Sequence, residues 1–587
     1  MLKNLLGRLL PSSTGRAVSP DAGPVPDDVA AADALIVEGD AREDAGQLRE
    51  AEALFRRAIA KAPGHARAHL NLGIVLTALR DDDAAIAAYE RVLAIDPGQP
   101  FGNYNYARLM VLRGDLARAG ALVAEALRTK PGFPQALELS HRILRDEGFA
   151  EEALALLRQI VGRDPTGWLH RSFELLVMNL VDAVAADELF RRHVEFGRAL
   201  EQEIPVRFDR YREAGDPQRR LRVGYLSCDF QTHPVAFFLA PVLEHHDRAQ
   251  VEVFCYSLTT NQDSMTQRLR AATDHWREVA SLSDADLADA IHADGVDVLV
   301  DLMGHAGLPR LGVFCQRPAP AQVAWLGYLN TTGLTRMDFR ISDARSDPPE
   351  LSQPLHTERL VFLPASQWCY PAVAEQQIEA ASPFQRNGHV TFGSFNGAVK
   401  VTPAACRRWA EVMLRVPGSR MVIGDISSER KRAAILRDMV SVGVADDRIA
   451  FVPRVPLDEY MGLYNLVDIT FDTFPYGGGT TTFDSLWMGV PVVATVGETP
   501  VSRSAAGILS ALGLDDWIAP AVDDFVDVAV ARASDRDACR ALRDALRPRM
   551  RDSLLTDLPR YTRDLEAAYR RMWLDKTSHS FRESEIR

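Results

Sequence analysis

Apolar and polar positions change their rhythm once along this chain. From Arg222 onward, short apolar runs bounded by Gly, Asp and Pro alternate with helical stretches: RVGYLS, VEVFCYS, VDVLVDL, QVAWLGY, VTFGSF, RMVIG, RIAFV, DITFD and PVVATV. That alternation predicts parallel sheets covered by helices. A weakly patterned stretch at 366–388 splits the region into halves of about 150 residues, the size of ordinary domains. Two doubly wound lobes facing a cleft are the expected architecture, with ligands at the carboxyl ends of the strands.

Before Arg222 the pattern is helical and it repeats. Pro63, Pro97, Pro131 and Pro165 are each 34 residues apart, the tetratricopeptide period. A small-residue site holds Gly39, Gly73 and Ala107, with His141 in the last unit. A second site holds Ala51, Ala85, Ala119 and Ala153, and four residues later come Phe55, Tyr89, Val123 and Leu157. Small residues let antiparallel helices approach, the bulky residue fills the groove, and proline ends the second helix. About four repeats span 32–165, and residues 166–215 read as helices joining the array to the strand-rich region.

Composition adds limits. The 67 Lys+Arg against 80 Asp+Glu give a net charge of −13, which excludes a broad basic surface for nucleic acid or anionic membrane. A local site for one phosphorylated ligand stays allowed. The six cysteines are scattered, without a CxxC pair or a His/Cys cluster, so neither a disulfide framework nor a zinc site is indicated. MLKNLLGRLLPSS is too short an apolar run for a signal segment, and no 18-residue apolar stretch comes after it; a cytoplasmic protein is expected. Asp284-Ala285-Asp286 sits in a polar helical run and reads as solvated surface rather than a metal site, and His245 and His246 read as helix C-caps.

Three segments at strand ends carry candidate chemistry: Cys228–Pro234 with His233, Gly304–Gly307 with His305, and DITFDTFPYGGGTTTFDSLWMG. In the last, Gly477, Gly478, Gly479, Thr480, Thr481 and Thr482 join a strand to a helix. Glycines permit close backbone approach, threonines add hydroxyl donors, and free N–H groups at a helix start favour an anion. The spacing is neither GxGxxG nor GxxxxGK[ST], which argues against a dinucleotide fold and a P-loop.

Taken in order, VGYLSCDFQTHPVAFFLAPVLEHHD, DVLVDLMGHAG, RPAPAQVAWLGYLNTTGLTRMDFRISD, TFGSFNGAVKVTP, FDTFPYGGGTTTFDSLWMGVPVV and GETPVSR resemble the O-linked N-acetylglucosamine transferase and SPINDLY family, glycosyltransferase family 41. The resemblance covers about 220–575 and implies an α plus α/β fold: an N-terminal α-solenoid, then a GT-B glycosyltransferase of two Rossmann-like domains. The expected layout is a flexible N-terminus at 1–31, four repeats at 32–165, a helical linker at 166–215, an acceptor-side lobe at 220–370, a nucleotide-sugar lobe at 385–545 and a C-terminal helix at 546–576.

The implied reaction is inverting transfer of a sugar from a nucleotide-sugar to Ser or Thr of a polypeptide, without a metal or other cofactor. N-acetylglucosamine from UDP-GlcNAc is the leading donor, and GDP-fucose, as in SPINDLY proteins, is the alternative. A reading of another class is an adaptor whose glycosyltransferase half is degenerate. The resemblance assigns His233, with His305, to the sugar and acceptor side, and Lys400 to the diphosphate. Gly478, Gly479, Thr480, Thr481, Thr482 and Asn396 fall to the phosphate turn, Asp484 to the ribose and Arg503 to the donor site; Tyr460, standing where the family has another nucleobase contact, is still able to stack on a base. Two departures stand out: Gly479 replaces a histidine of the animal enzymes, and Leu457 and Tyr460 replace a lysine and a histidine. The array is expected to hold the polypeptide acceptor; no nucleic-acid partner and no membrane span are expected, and the oligomeric state is left open.

Overall fold

The computed structural model describes residues 27–212, 216–372 and 376–584. The chain divides after Arg163 into a helical body and a larger body that starts at Asp164.

Among the described residues the first body holds four helix pairs: Asp27–Asp44 with Leu48–Lys61, Ala66–Ala78 with Asp82–Ile95, Pro100–Leu112 with Leu116–Thr129, and Pro134–Glu147 with Ala150–Arg163. The repeat pattern explains the packing. Ala51, Ala85, Ala119 and Ala153 are fully buried. A Cβ on Gly39 would stand 2.5 Å from the Phe55 ring, and one on Gly73 2.6 Å from the Tyr89 ring, so the small residue and the bulky residue of each pair fill one space. The four period-marking prolines stand in the turns just beyond the second helices. Among the described residues the first helix starts at Asp27, inside the stretch expected to be a flexible N-terminus; residues 1–26 of that stretch lie outside the described residues.

The second body holds two all-parallel sheets. The first has β1 (Leu221–Ser227), β2 (Val251–Ser257), β3 (His275–Glu278), β4 (Val298–Asp301), β5 (Ala321–Ala324), β6 (Phe339–Ser342) and β7 (Arg359–Phe362), in the order β3-β2-β1-β4-β5-β6-β7. The second has β8 (Thr391–Ser394), β9 (Arg420–Gly424), β10 (Ile449–Val452), β11 (Ile469–Phe471), β12 (Val492–Thr495) and β13 (Ile518–Ala519), in the order β10-β9-β8-β11-β12-β13. Strands covered on both faces by helices become continuous apolar runs, which is why β4, β5, β8 and β12 are buried at every position. A helical array followed by two doubly wound lobes is the fold class expected from the sequence.

Two expectations change. The helices Trp168–Met178 and Ala186–Glu203 are not a free linker but part of the first lobe. Gly197 lies backbone to backbone against Gly333 with no room for a Cβ, and Asn179 and His193 both bond the buried Tyr328 hydroxyl, at 2.9 and 2.7 Å. The C-terminal stretch is two helices, Arg536–Arg551 and Leu558–Ser584, separated by a turn at Asp552. The last helix returns to the first lobe. There Tyr561 donates to the Gln367 carbonyl at 2.6 Å, and Glu566 lies 2.8 Å from His246. His246 occupies the C-cap position, its backbone N–H on the Val242 carbonyl, but its side chain is a buried link between elements; the His245 ring bonds the Pro241 carbonyl at 2.7 Å. No helix among the described residues is long and apolar enough to cross a membrane.

Candidate active site

Strand order in the second sheet reverses direction between β8 and β11, and a doubly wound sheet opens its crevice at such a point. Beyond β8 the chain passes Asn396 and makes one 3-10 turn ending at Lys400. Beyond β11 it passes Asp472 and the glycines, then enters the helix Thr480–Trp487 with Gly479 at its N-cap position.

Asp472 shapes this turn. It is 3% exposed, and its Oδ1 accepts the Gly478 N–H at 2.7 Å and the Asn396 amide at 3.5 Å. Asn396 Oδ1 in turn accepts the Thr481 hydroxyl at 2.9 Å. Gly478 has no room for a side chain, since a Cβ would stand 2.7 Å from the hydroxyls of both Thr481 and Thr482. Gly479 differs: its Cβ would meet only the Trp368 ring, at 3.9 Å.

Lys400 closes the opposite wall. Its Nζ donates to the Gly477 carbonyl at 2.9 Å and stands 4.4 Å from the centre of the Tyr476 ring. Burial pushes its ammonium down to about 8, with the Asp472 carboxylate offsetting part of that cost. Burial likewise pushes Asp472 up to about 6 against the N–H groups of Gly478 and Thr473 and the charge of Lys400. One N–H of three is committed to Gly477, so the ammonium keeps donors for a ligand oxygen.

Asp484 lies one turn into the same helix and is 5% exposed. Tyr370, from the segment between the lobes, donates to its Oδ1 at 2.7 Å, and burial raises the carboxyl to about 7. Tyr460 packs edge-on against Tyr464 and Phe395, with the Tyr460 and Tyr464 hydroxyls 2.7 Å apart.

On the first lobe His233 stands at the N-cap of Pro234–His245, its side chain 41% exposed. Its Nδ1 accepts the Val235 N–H at 3.3 Å and lies 3.7 Å from the Asp229 carboxylate. A neutral imidazole has one acceptor nitrogen, so this cap places the proton on Nε2. Phe238 of this helix and Phe483 of the glycine-turn helix pack with ring centres 5.9 Å apart, so the two helix starts adjoin across the lobes.

Two assignments are corrected. His305 is fully buried: Nε2 donates to the Thr332 carbonyl at 3.0 Å, and Nδ1 accepts the Ser172 hydroxyl at 2.6 Å. Burial holds its imidazolium form far below the ordinary value, so His305 is a neutral core residue with no face for an acceptor. Arg503 is 2% exposed, and its guanidinium is spent on protein. It donates to the Ser346 carbonyl (2.7 Å), the Ser352 hydroxyl (2.7 Å), the Gly497 carbonyl (3.1 Å) and Asp347 (3.5 Å). It bolts the lobes together. Asp472, Trp368, Tyr370 and Tyr464 were not singled out from sequence; only Asp472 left a signal, an acid one residue past the switch-point strand.

Comparison with known proteins bears on this geometry. The model of Glycosyl transferase family 41 matches residues 200–370 and 383–565, more than half of the chain. The chain belongs to glycosyl transferase family 41. Tetratricopeptide repeat models match 36–100 and 83–143. Among family 41 relatives, the tomato (Solanum lycopersicum) protein named probable UDP-N-acetylglucosamine–peptide N-acetylglucosaminyltransferase SPINDLY is 37% identical over 68% of this chain and 43% of its own length. The Arabidopsis thaliana protein of the same description named SEC is 29% identical over 60% of this chain and 37% of its own. The chain thus spans less than half the length of the curated relatives it matches. An O-GlcNAc transferase mutant from Thermobaculum terrenum superposes with a TM-score of 0.73 at 29% identity, over 95% of this chain and all of that one. Among the described residues no cluster of three or more His, Cys, Asp or Glu side chains is arranged to hold a metal ion.

Proposed function

We propose that this chain is a protein O-glycosyltransferase that transfers N-acetylglucosamine from UDP-GlcNAc to serine or threonine hydroxyls with inversion. The observation that carries the reading is the pairing of Lys400 with the Gly478–Thr482 helix start at the β8/β11 switch point. Breaking the bond from the sugar to a nucleoside diphosphate builds charge on the leaving phosphate. A lysine and backbone N–H groups fixed before the reaction stabilise that charge without reorganising. Asp472 fixes those N–H groups by holding Gly478, and no metal enters the scheme.

The acceptor proton goes to a base on the first lobe. His233 serves once its Nδ1 leaves the Val235 N–H, and Asp229 then steadies the imidazolium. Asp484 receives the ribose hydroxyls and Tyr460 the base, while Asn396 acts through the turn. The repeat array selects the polypeptide acceptor. Six free thiols suit a reducing compartment, so we place the reaction in the cytoplasm.

The second reading is O-fucosyl transfer from GDP-fucose, the SPINDLY donor implied by the resemblance. Its support is the DTFPYGGGTTT stretch, which resembles SPINDLY proteins, although the SPINDLY and SEC relatives alike are named probable UDP-N-acetylglucosamine–peptide N-acetylglucosaminyltransferases. Intact-mass analysis of acceptor polypeptides incubated with each donor decides: an N-acetylhexosamine increment supports the first reading, and a deoxyhexose increment the second. No increment with either donor, from protein that binds peptide, leaves the adaptor reading.

A further inference from the structure

At the other end of the strands that carry the donor turn, beside Val390 and Asp468, lies a cavity of about 110 Å³. Its wall includes Ser382, Phe384, Asp468, Arg536, Arg540 and Arg543. The unusual member is Arg543, which is 4% exposed. Its Nη2 donates to Asn465 Oδ1 at 3.0 Å, while Nε and Nη1 have no hydrogen-bond partner among the described residues. Three N–H groups of a permanent cation are thus buried and unmade. That arrangement is strongly unfavourable unless a counter-charge joins it.

The nearby carboxylates offset only part of that cost: Asp468 and Asp544 attract the guanidinium, Arg386 repels it, and burial still holds Arg543 below its ordinary value. Both oxygens of Asp468 accept backbone N–H groups, from Phe384 and Thr391, at 2.9 Å. Asp537 pairs with Arg540 at 3.3 Å, and Arg536 lies over the Phe384 ring at 4.1 Å. Three arginines against two aspartates leave one surplus positive charge in the wall. Water entering the space would satisfy N–H groups but not the charge.

We propose that this cavity binds a small oxyanion of the phosphate type, seated on Arg543 Nε and Nη1 with Arg536 and Arg540 at its side. The space suits it, since one water-sized sphere needs only about 10–15 Å³. The site is separate from the diphosphate turn, which lies at the opposite ends of β8 and β11.

The test is a thermal-shift titration of the full chain with sodium phosphate, against sodium chloride at matched ionic strength, with UDP present to occupy the donor turn. At ten times its Kd, phosphate should raise Tm by about 1.5 °C. Arg543→Met should abolish that rise. Ala533→Glu, which puts a carboxylate into the cavity, should lift the phosphate-free Tm and remove the response. No rise in wild type, a rise that survives either substitution, or a rise with acetate but not phosphate would overturn the proposal. Should Arg543→Met fail to fold, Ala533→Glu decides alone.

Discussion

Replacing Arg503 with methionine separates its two roles, donor contact or bolt between lobes. The substitution keeps apolar bulk and removes every donor. It leaves two acceptors without that partner, the buried Ser346 carbonyl and the half-buried Gly497 carbonyl, while the Ser352 hydroxyl keeps its bond to Asp347. Each orphaned acceptor costs about 1–3 kcal/mol. Asp347 is not orphaned, because Arg340 and His356 face it and the Ser342 hydroxyl bonds it. The loss therefore falls below the sum, at about 3 kcal/mol, the lower edge of breaking a buried pair. The body from Asp164 to Arg587 holds 587 − 163 = 424 residues. At about 2 cal/mol/K per residue, 3 kcal/mol lowers its Tm by about 3 °C. Scanning calorimetry reads that shift, and equilibrium titration reads UDP affinity on the same sample. The bolt predicts a lowered Tm with UDP affinity changed less than about threefold below the transition. Arg503→Lys should recover little, since one ammonium cannot span four acceptors. An unmoved Tm with affinity weakened tenfold or more would refute the argument and return Arg503 to the donor site.

Four further outcomes are expected from the site and its surroundings. Lys400→Ala should lower kcat by about 10²–10³-fold, the usual effect of removing one pre-set donor at developing charge. In wild type, kcat/KM should fall as pH rises through about 8, where the free enzyme's Lys400 loses its proton; a profile flat to pH 10 would contradict the charge assignment. Gly478→Ala should cost at least tenfold in donor affinity while Gly479→Ala stays within about twofold, because only the first Cβ meets the threonine hydroxyls; equal effects would remove the steric reasoning. Burial pushes His193 from 6.5 down to about 4, so the unfolded chain takes up a proton that the native chain refuses. Stability is then full above pH 6.5 and declines towards pH 4 by up to about 3 kcal/mol, read by urea unfolding, and His193→Phe should flatten that slope.

The parts of the fold that depend on repetition were legible in the sequence. A 34-residue register puts Gly39 opposite Phe55 and Gly73 opposite Tyr89 whatever the rest of the chain does, because each pair belongs to neighbouring helices. The same holds for the strands, whose continuous apolar runs report burial on both faces. Residues 168–203 escaped because their partners lie far along the chain. Nothing local in SFELLVMN says that Ser172 will meet His305, or that Asn179 will meet Tyr328. A helical pattern between two domains looks like a linker until its buried face has an owner.

At the site, the same distinction separates what motif position conveys from what it does not. Lys400, Gly478, Thr481 and Asp484 come directly after a switch-point strand, so their positions relative to the crevice are set by the backbone within a few residues. His305 and Arg503 also sit in loops beyond strands, and by position alone they look equivalent. What separates them is whether a partner reaches them first. The Thr332 carbonyl and Ser172 take both ring nitrogens of His305, and Ser346, Ser352 and Gly497 take the fork of Arg503. His233 stands between these cases. Its one lone pair is lent to a helix N–H at 3.3 Å, a weak bond that a nearby hydroxyl can replace. Polar residues behind strand ends become functional when their hydrogen bonds are incomplete or exchangeable, and structural when every donor and acceptor is spent on protein. Motif position cannot supply that count, because the partners that complete it come from distant segments.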